Sequence, residues 1–224
     1  MNADPNLAEG HILLGKLLAR DQRLAEAVSE YQQAVKLQPG FSLAHLDLGL
    51  ALAAQGPRTS ASVCPLPDIA DYRHAAKHVP IPEIVAQEVT VEIILTWSQD
   101  LFIPPDAPRT GRELEVFHLA NAFLQKASVN AADCDVSMEI SETADKGSLR
   151  MIVETPVDRE YCGARQNLQA QLKKHGFRLD SQHGGDLPQA LPVDFVGMAF
   201  EDFEHDRGPV ATLWEIHPAI VILH

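Results

Sequence analysis

Apolar residues recur at intervals of three and four positions through the first quarter of the chain, and this spacing predicts three amphipathic helices. We expect them over residues 7–20, 24–37 and 42–55. Proline and glycine at 39–40 end the second helix, because proline cannot continue a helix and glycine lets the chain reverse. Gly15 lies where we expect a neighbouring helix to pass close. The first helix is expected to turn Leu7, His11, Leu14 and Leu18 inward.

The first and third helices carry the same residues at a fixed spacing of 34 positions. That spacing is the period of the tetratricopeptide repeat. Residues 1–56 therefore resemble about one and a half tetratricopeptide repeats, and the resemblance implies a helical module that binds a protein segment. The repeated pairs are His11 and His45, Leu14 and Leu48, Gly15 and Gly49, and Leu18 and Leu52.

The resemblance also implies which residues meet a partner. In that family the first helix of each repeat lines the concave surface, which here makes Asn6, Lys16 and Asp47 the expected protein-binding residues. Stacked repeats bury their faces against neighbours, so one and a half repeats leave helix 42–55 with an uncovered face. We expect the following domain, missing upstream repeats, a protein partner or a second copy of the chain to cover it.

Residues 57–110 are rich in proline and small polar residues and predict a linker with one helical turn within 69–77. Residues 87–97 are rich in β-branched side chains and predict a strand, with a short helix as the alternative. His74 and His78 are four positions apart, a spacing that presents two metal ligands on one helical face. No third ligand lies in phase with them, which favours surface histidines.

Residues 111–224 predict strand, strand, strand, helix, strand, strand. Five strands with a helix between the third and fourth is the order of the OB-fold, a partly open Greek-key barrel; an α+β sandwich is the alternative. The expected fold class is therefore α+β in two domains, a three-helix tetratricopeptide array followed by an OB-like barrel. The second domain also resembles small, uncharacterised bacterial β-domains that end in Glu-Ile-His-Pro, here residues 215–218, and this resemblance implies no activity. The expected strands span 113–123, 136–140, 149–155, 193–200 and 213–223, and the helix 162–175.

The chain has a net charge of −13, and the acidity is concentrated in its second half. Residues 113–224 hold nine basic and eighteen acidic side chains. Nucleic-acid affinity comes mostly from lysine and arginine that release counterions, so we expect no nucleic-acid partner. No apolar run is long enough for a membrane span, and the first residues do not read as a signal peptide. The expected location is the cytoplasm.

The three cysteines, Cys64, Cys134 and Cys162, show no CxxC spacing, which excludes a zinc finger and a disulfide scaffold. We expect buried free thiols, with a Cys134–Cys162 disulfide as the alternative for an exported protein. Cys162 stands near a helix start that lowers thiol pKa values, but a nucleophile also needs a base, and none is nearby in the sequence.

The densest ionisable cluster spans residues 201–208 and the last strand. If the intervening loop folds back, His205 and His217 meet Asp202 or Glu215, a set able to hold zinc or iron. The alternative is a solvated acidic turn. A second group of carboxylates suits a calcium site or an acid–base pair, although the solvent face of a sheet is the favoured interpretation. This second group comprises Asp133, Asp135, Glu139 and Glu154.

Three functions fit these patterns. The leading hypothesis is a non-enzymatic interaction protein that uses its helical module and needs no cofactor. The second is a metal-dependent hydrolase with His205, His217, Asp202 and Glu215 as its site. The third is a barrel that binds oligonucleotides or oligosaccharides.

Overall fold

Three helices open the chain in the computed structural model, which describes residues 5–38, 41–55, 73–100, 103–131, 133–203 and 209–223. They are α1 (Pro5–Arg20), α2 (Leu24–Leu37) and α3 (Ser42–Gln55). The bounds of α2 and α3 are those that the apolar spacing predicts, and α1 begins slightly earlier. The tetratricopeptide identity of these helices stays a prediction.

The helices α1 and α2 approach each other most closely at Gly15. A Cβ atom on this residue would lie 2.4 Å from Cε1 of Tyr31, so a larger side chain would push the two helices apart. The expected close passage of a neighbouring helix is confirmed.

The buried side of α1 differs from the expected one. Leu7 and Leu14 are exposed, so the predicted inward stripe is wrong for these two residues. The helix carries apolar residues on more than one side, and their spacing alone does not say which side meets α2. The buried apolar residues of α1 are Ala8, Ile12 and Leu18.

The second half of the chain forms a closed barrel of five strands with one additional strand at its edge. The strands are β1 (Gln87–Glu88), β2 (Val116–Val129), β3 (Val136–Ser141), β4 (Arg150–Thr155), β5 (Gly185–Glu201) and β6 (Val210–Leu223). The barrel order is β2-β3-β4-β6-β5, and β5 pairs again with β2. The β4–β6 pair is parallel and the other four barrel pairs are antiparallel. The edge strand β1 runs parallel to β2.

The segment before the barrel contains short helices within residues 73–100. It contains α4 (His74–Lys77) and α5 (Val91–Leu95). Most of the stretch that was expected to be a strand is therefore the alternative, a short helix, because the Thr90 side chain accepts a hydrogen bond from the backbone N–H of Ile93 at 3.2 Å and caps α5. The first expected barrel strand also begins later, because residues 111–114 form a 3₁₀ helix.

This segment contacts the barrel through buried polar groups. The guanidinium of Arg73 binds both carboxylate oxygens of Glu113 at 2.6 and 2.7 Å and also donates to the Glu201 carbonyl. The Tyr161 hydroxyl donates to the Val79 carbonyl at 2.6 Å. Residues 73–86 therefore lie against the barrel wall.

One long helix, α6 (Cys162–Lys174), connects β4 to β5 and packs Leu168 and Leu172 against the barrel core. A helix at this place in this strand order is compatible with an OB-fold. Cys134 and Cys162 are both thiols, so the alternative disulfide between them is not formed. The largest fully buried core side chains include Phe195, Leu119, Leu124, Met138, Ile140 and Met151.

The barrel covers one side of α3. A Cβ atom on Gly49 would lie 2.9 Å from Cγ2 of Ile220, and His45 lies 3.5 Å from Asp194. Four candidates were expected to cover helix 42–55, and in the structure the domain that follows it does so. Within the described residues, none of the helices has the length and apolar content needed to cross a bilayer.

Candidate metal centre

A buried cluster of histidine and carboxylate side chains forms where four parts of the chain meet. His78 follows α4, Asp135 immediately precedes β3, Glu154 lies on β4 and His217 on β6. Asp135 and His217 are fully buried, and the His78 side chain is 6% exposed. The cluster thus joins three barrel segments to the segment that precedes the barrel.

The two histidines face one carboxylate oxygen. Nε2 of His217 lies 3.2 Å from Oδ2 of Asp135, and Nε2 of His78 lies 3.7 Å from the same oxygen. A set of ligand atoms from these three residues lies within 4.8 Å of one another, which is the spacing of a metal-binding group. Two imidazoles and one carboxylate suit zinc or iron.

The other nitrogen of each imidazole is held by a separate carboxylate. Nδ1 of His78 lies 2.5 Å from Oδ2 of Asp158, and Nδ1 of His217 lies 3.0 Å from Oε2 of Glu154. Metal-binding histidines commonly have such a carboxylate behind them, because it fixes the ring and raises the basicity of the metal-facing nitrogen. Each imidazole thus has a carboxylate beside Nδ1 and Asp135 beside Nε2, and a neutral ring that donates from Nδ1 would keep a lone pair on Nε2 for a metal.

The contacts of His217 are close without being well-directed hydrogen bonds. Neither ring nitrogen of His217, nor Oδ2 of Asp135, has a partner with hydrogen-bond geometry among the described residues. A cation between these atoms would use the lone pairs that the contacts leave without a hydrogen bond. The other oxygen of Asp135 accepts a hydrogen bond from the Val157 N–H at 2.6 Å, which fixes the carboxylate.

The charges of the cluster stabilise one another. Burial by itself lowers the pKa of His217, but Asp135 and Glu154 outweigh burial and raise the pKa to about 9. Burial raises the pKa of Glu154, but His217 and Lys77 more than compensate and leave it below its ordinary value. A divalent cation would replace the proton as the positive charge that balances these carboxylates.

Further carboxylates surround this centre. Glu215 groups with Glu154 and His217, and Asp133 groups with Asp135 and Glu154, each set with ligand atoms within 4.8 Å of one another. The backbone N–H of Asp135 donates to Oδ1 of Asp133 at 2.9 Å. The cluster approaches the surface on the side of Asp158, whose side chain is 34% exposed.

The predicted metal set is brought together only in part. His217 and Glu215 lie together on β6, as expected from their spacing. Asp202 is buried beside β6, where its backbone N–H donates to the Leu213 carbonyl, and it belongs to none of the metal-type groups found among the described residues. His205 lies outside the described residues.

Three of the cluster residues were expected to be exposed to solvent. His78 was expected on the surface, and Asp135 and Glu154 on the solvent face of a sheet; all three are buried, so these interpretations are wrong. A signal was present, because Glu154 follows the apolar residues 151–153 and Asp135 stands between Cys134 and Val136. A charged residue is almost never fully buried unless it is paired, so a carboxylate next to apolar strand residues indicates a buried partner.

The predicted protein-binding residues of the helical module lie on α1 and α3. Lys16 and Asp47 meet directly, with Nζ 3.4 Å from Oδ2. They line a groove of about 500 Å³ that Tyr31 and Glu83 also border. Asn6 lies in α1, and the structure describes only its backbone.

The structure thus defines an α+β protein with a closed barrel and a buried histidine–carboxylate cluster where the barrel meets the segment before it. Comparison of the chain with known protein families, with curated proteins and with solved structures gave no match.

Proposed function

We propose that the barrel binds a divalent transition metal and that the protein is a metal-dependent hydrolase. The observation that carries this proposal is the shared approach of two imidazoles to Asp135. Each presents Nε2 to the same oxygen and has a different carboxylate in close contact with Nδ1. This geometry favours the hydrolase over the purely interaction-based hypothesis.

The ligand set leaves room for chemistry. His78, His217 and Asp135 supply three ligands, and catalytic zinc sites keep a fourth position for water or substrate. A metal ion held there would lower the pKa of such a water to roughly 7 and so supply a nucleophile at neutral pH. Glu215, grouped with Glu154 and His217, is the carboxylate we assign to accept the proton of that water.

The side of Asp158 is the expected direction of substrate entry. Asp158 is the most exposed carboxylate among the side chains that contact the two imidazoles.

We also propose that the barrel is an OB-fold, because its strand order and the helix after β4 support this identity.

Metal content tests the binding step. The full chain is loaded with excess zinc, passed over a desalting column and analysed by inductively coupled plasma mass spectrometry. We expect bound zinc to fall by one equivalent in His217→Ala and in Asp135→Asn. The matched control is His183→Ala, which removes a histidine that contacts Asp180 outside the cluster. Unchanged zinc content in both cluster variants would contradict the proposal.

Turnover tests the chemical step. The zinc-loaded chain is assayed with bis(p-nitrophenyl) phosphate and with p-nitrophenyl acetate. We expect hydrolysis of at least one probe above the metal-free chain, and loss of that activity in Glu215→Gln with zinc still bound. Equal rates for loaded and metal-free protein would contradict a hydrolase and leave a structural metal.

An exposed apolar strip on α1 favours an interaction function as a second candidate. Leu13, Leu14 and Leu17 are 63%, 44% and 47% exposed. We infer that this strip is an interaction surface, because exposed apolar patches mark such surfaces, and a second copy of the chain is the occupant tested first. Sedimentation velocity tests it: wild type should dimerise with increasing concentration, and Leu13→Lys combined with Leu17→Lys should stay monomeric. A monomeric wild type at all concentrations would contradict self-association.

A further inference from the structure

We propose a second transition-metal site, formed by His45, His118 and Asp194, that fastens the helical module to the barrel. His45 lies on α3, His118 on β2 and Asp194 on β5. All three are buried, and one ligand atom from each lies within 4.8 Å of the others. Nothing in the proposed hydrolase site includes these residues.

The geometry repeats the pattern of the first cluster. Nε2 of His45 lies 3.5 Å from Oδ2 of Asp194. The other oxygen of Asp194 accepts a hydrogen bond from the Asn121 N–H at 2.8 Å, which fixes the carboxylate. The two imidazole rings lie against each other with centroids 4.5 Å apart.

A carboxylate contacts Nδ1 of His118, as is common behind metal-binding histidines. The two carboxylate oxygens of Glu88 lie 3.0 and 2.9 Å from Nδ1 of His118. The tautomer that donates from Nδ1 leaves a lone pair on Nε2. That Nε2 is fully enclosed and has no hydrogen-bond partner among the residues the structure describes. A buried acceptor nitrogen without a partner is costly, and a bound cation removes that cost.

The ligand chemistry selects the metal. Two imidazoles and one carboxylate suit zinc, whose fourth ligand is then water or the second carboxylate oxygen. The three ligands come from α3 and two barrel strands, so the ion would cross-link the helices to the barrel where α3 already packs on Ile220.

The repeat in the sequence offers a matched control. His11 stands at the position of α1 that corresponds to His45, and its Nδ1 contacts Glu30 of α2 at 2.7 Å, away from the proposed site. Glu88 offers a mild variant, because its side chain is 55% exposed and its loss should not unfold the chain.

The experiment uses the full chain carrying His217→Ala, which disables the first centre. Cobalt(II) is titrated and followed by its visible absorption, with folding checked by circular dichroism. We expect one equivalent to bind, His11→Gln to bind it equally, and Glu88→Gln to bind it 10- to 100-fold more weakly. His118→Gln should bind none.

Failure of this proposal differs from failure of the hydrolase site. If folded His217→Ala binds no cobalt, or if Glu88→Gln and His118→Gln leave its affinity unchanged, the second site is overturned. If wild type and His217→Ala both bind one equivalent that His118→Gln removes, the second site holds and the first does not. Weak binding that all variants share equally marks adventitious surface binding and overturns the second site.

Discussion

The imidazole rings of His78 and His217 meet edge to face inside the protein, with ring centroids 5.8 Å apart. One ring belongs to the segment before the barrel and the other to its last strand, so the contact exists only once that segment has docked. Asp135 lies within reach of both rings and supplies the charge that makes their burial tolerable. The proposed site is therefore also a fastening point for residues 73–86.

Metal binding should stabilise the fold through these ligands. At zinc concentrations 100 times the dissociation constant, the free energy of unfolding should rise by about 2.7 kcal/mol. Asp135→Asn should lose the increment that comes from this centre, because it removes the shared anionic ligand. Urea unfolding with and without zinc measures it, with Asp180→Asn as the control carboxylate beside a different histidine. An equal zinc increment in Asp135→Asn would contradict the assignment.

The buried Arg73–Glu113 pair should be highly sensitive to the loss of one partner. Arg73→Met leaves the Glu113 carboxylate buried without its guanidinium, and we expect a loss of about 3–5 kcal/mol in the free energy of unfolding. Arg23→Met breaks an Arg–Glu pair of similar distance that is exposed, and should leave the urea midpoint unchanged. Equal effects of the two substitutions would show that burial does not decide the outcome.

The same pair should make stability fall in acid. Burial raises the pKa of Glu113, but hydrogen bonds from Arg73 and from the backbone outweigh burial and hold the pKa below its usual 4.5. A depressed folded pKa means that the carboxylate stabilises fully above pH 4.5 and loses its contribution as pH falls below it. Glu113→Gln should therefore flatten the decline in stability between pH 5 and pH 3, followed by urea unfolding. An unchanged slope would contradict this.

The close packing of α3 on the barrel should make the protein's stability sensitive to a substitution at Gly49. A Cβ atom on Gly49 would lie 2.9 Å from buried Ile220, so Gly49→Ala should cost about 1–2 kcal/mol despite the better helix propensity of alanine. Gly10 in α1 has no atom within 4 Å of such a Cβ, and Gly10→Ala should stabilise by up to about 1 kcal/mol. A stabilising Gly49→Ala would mean that α3 is not docked as described.

The helices and the barrel strands were largely predictable because their evidence is local. The bounds of α2 and α3 follow from apolar spacing and from the proline and glycine at 39–40. The hairpin of β3 and β4 follows from strand-forming runs on both sides of a short polar turn. The short helix α5 was not chosen first, because its β-branched residues favour a strand and only the Thr90 cap decides otherwise.

The candidate sites were much less predictable, because their residues meet only through the tertiary fold. His217 and Glu215 were found through their shared strand. Asp135, far from both in sequence, joins them because β4 pairs with β3 on one side and with β6 on the other. No motif in the sequence assigns a metal-binding role to His45 or His118. A histidine within an apolar strand nevertheless indicates a buried polar group that needs a partner.

Asp47 should make the helical module less stable as pH rises from about 4 to about 6. Burial raises the pKa of this carboxyl to about 6; Lys16 opposes the shift and Glu83 adds to it. Because the folded pKa is raised, the folded state binds the proton more tightly, and ionisation above pH 4 costs stability. Asp47→Asn should remove this decline and stabilise the protein at pH 7 by about 1–2 kcal/mol, after allowance for solvent screening. Urea unfolding at pH 4, 5, 6 and 7 measures the effect, with Asp21→Asn, in the exposed turn after α1, as the control. A loss of stability at pH 7 in Asp47→Asn would show instead that the 3.4 Å contact with Lys16 outweighs burial.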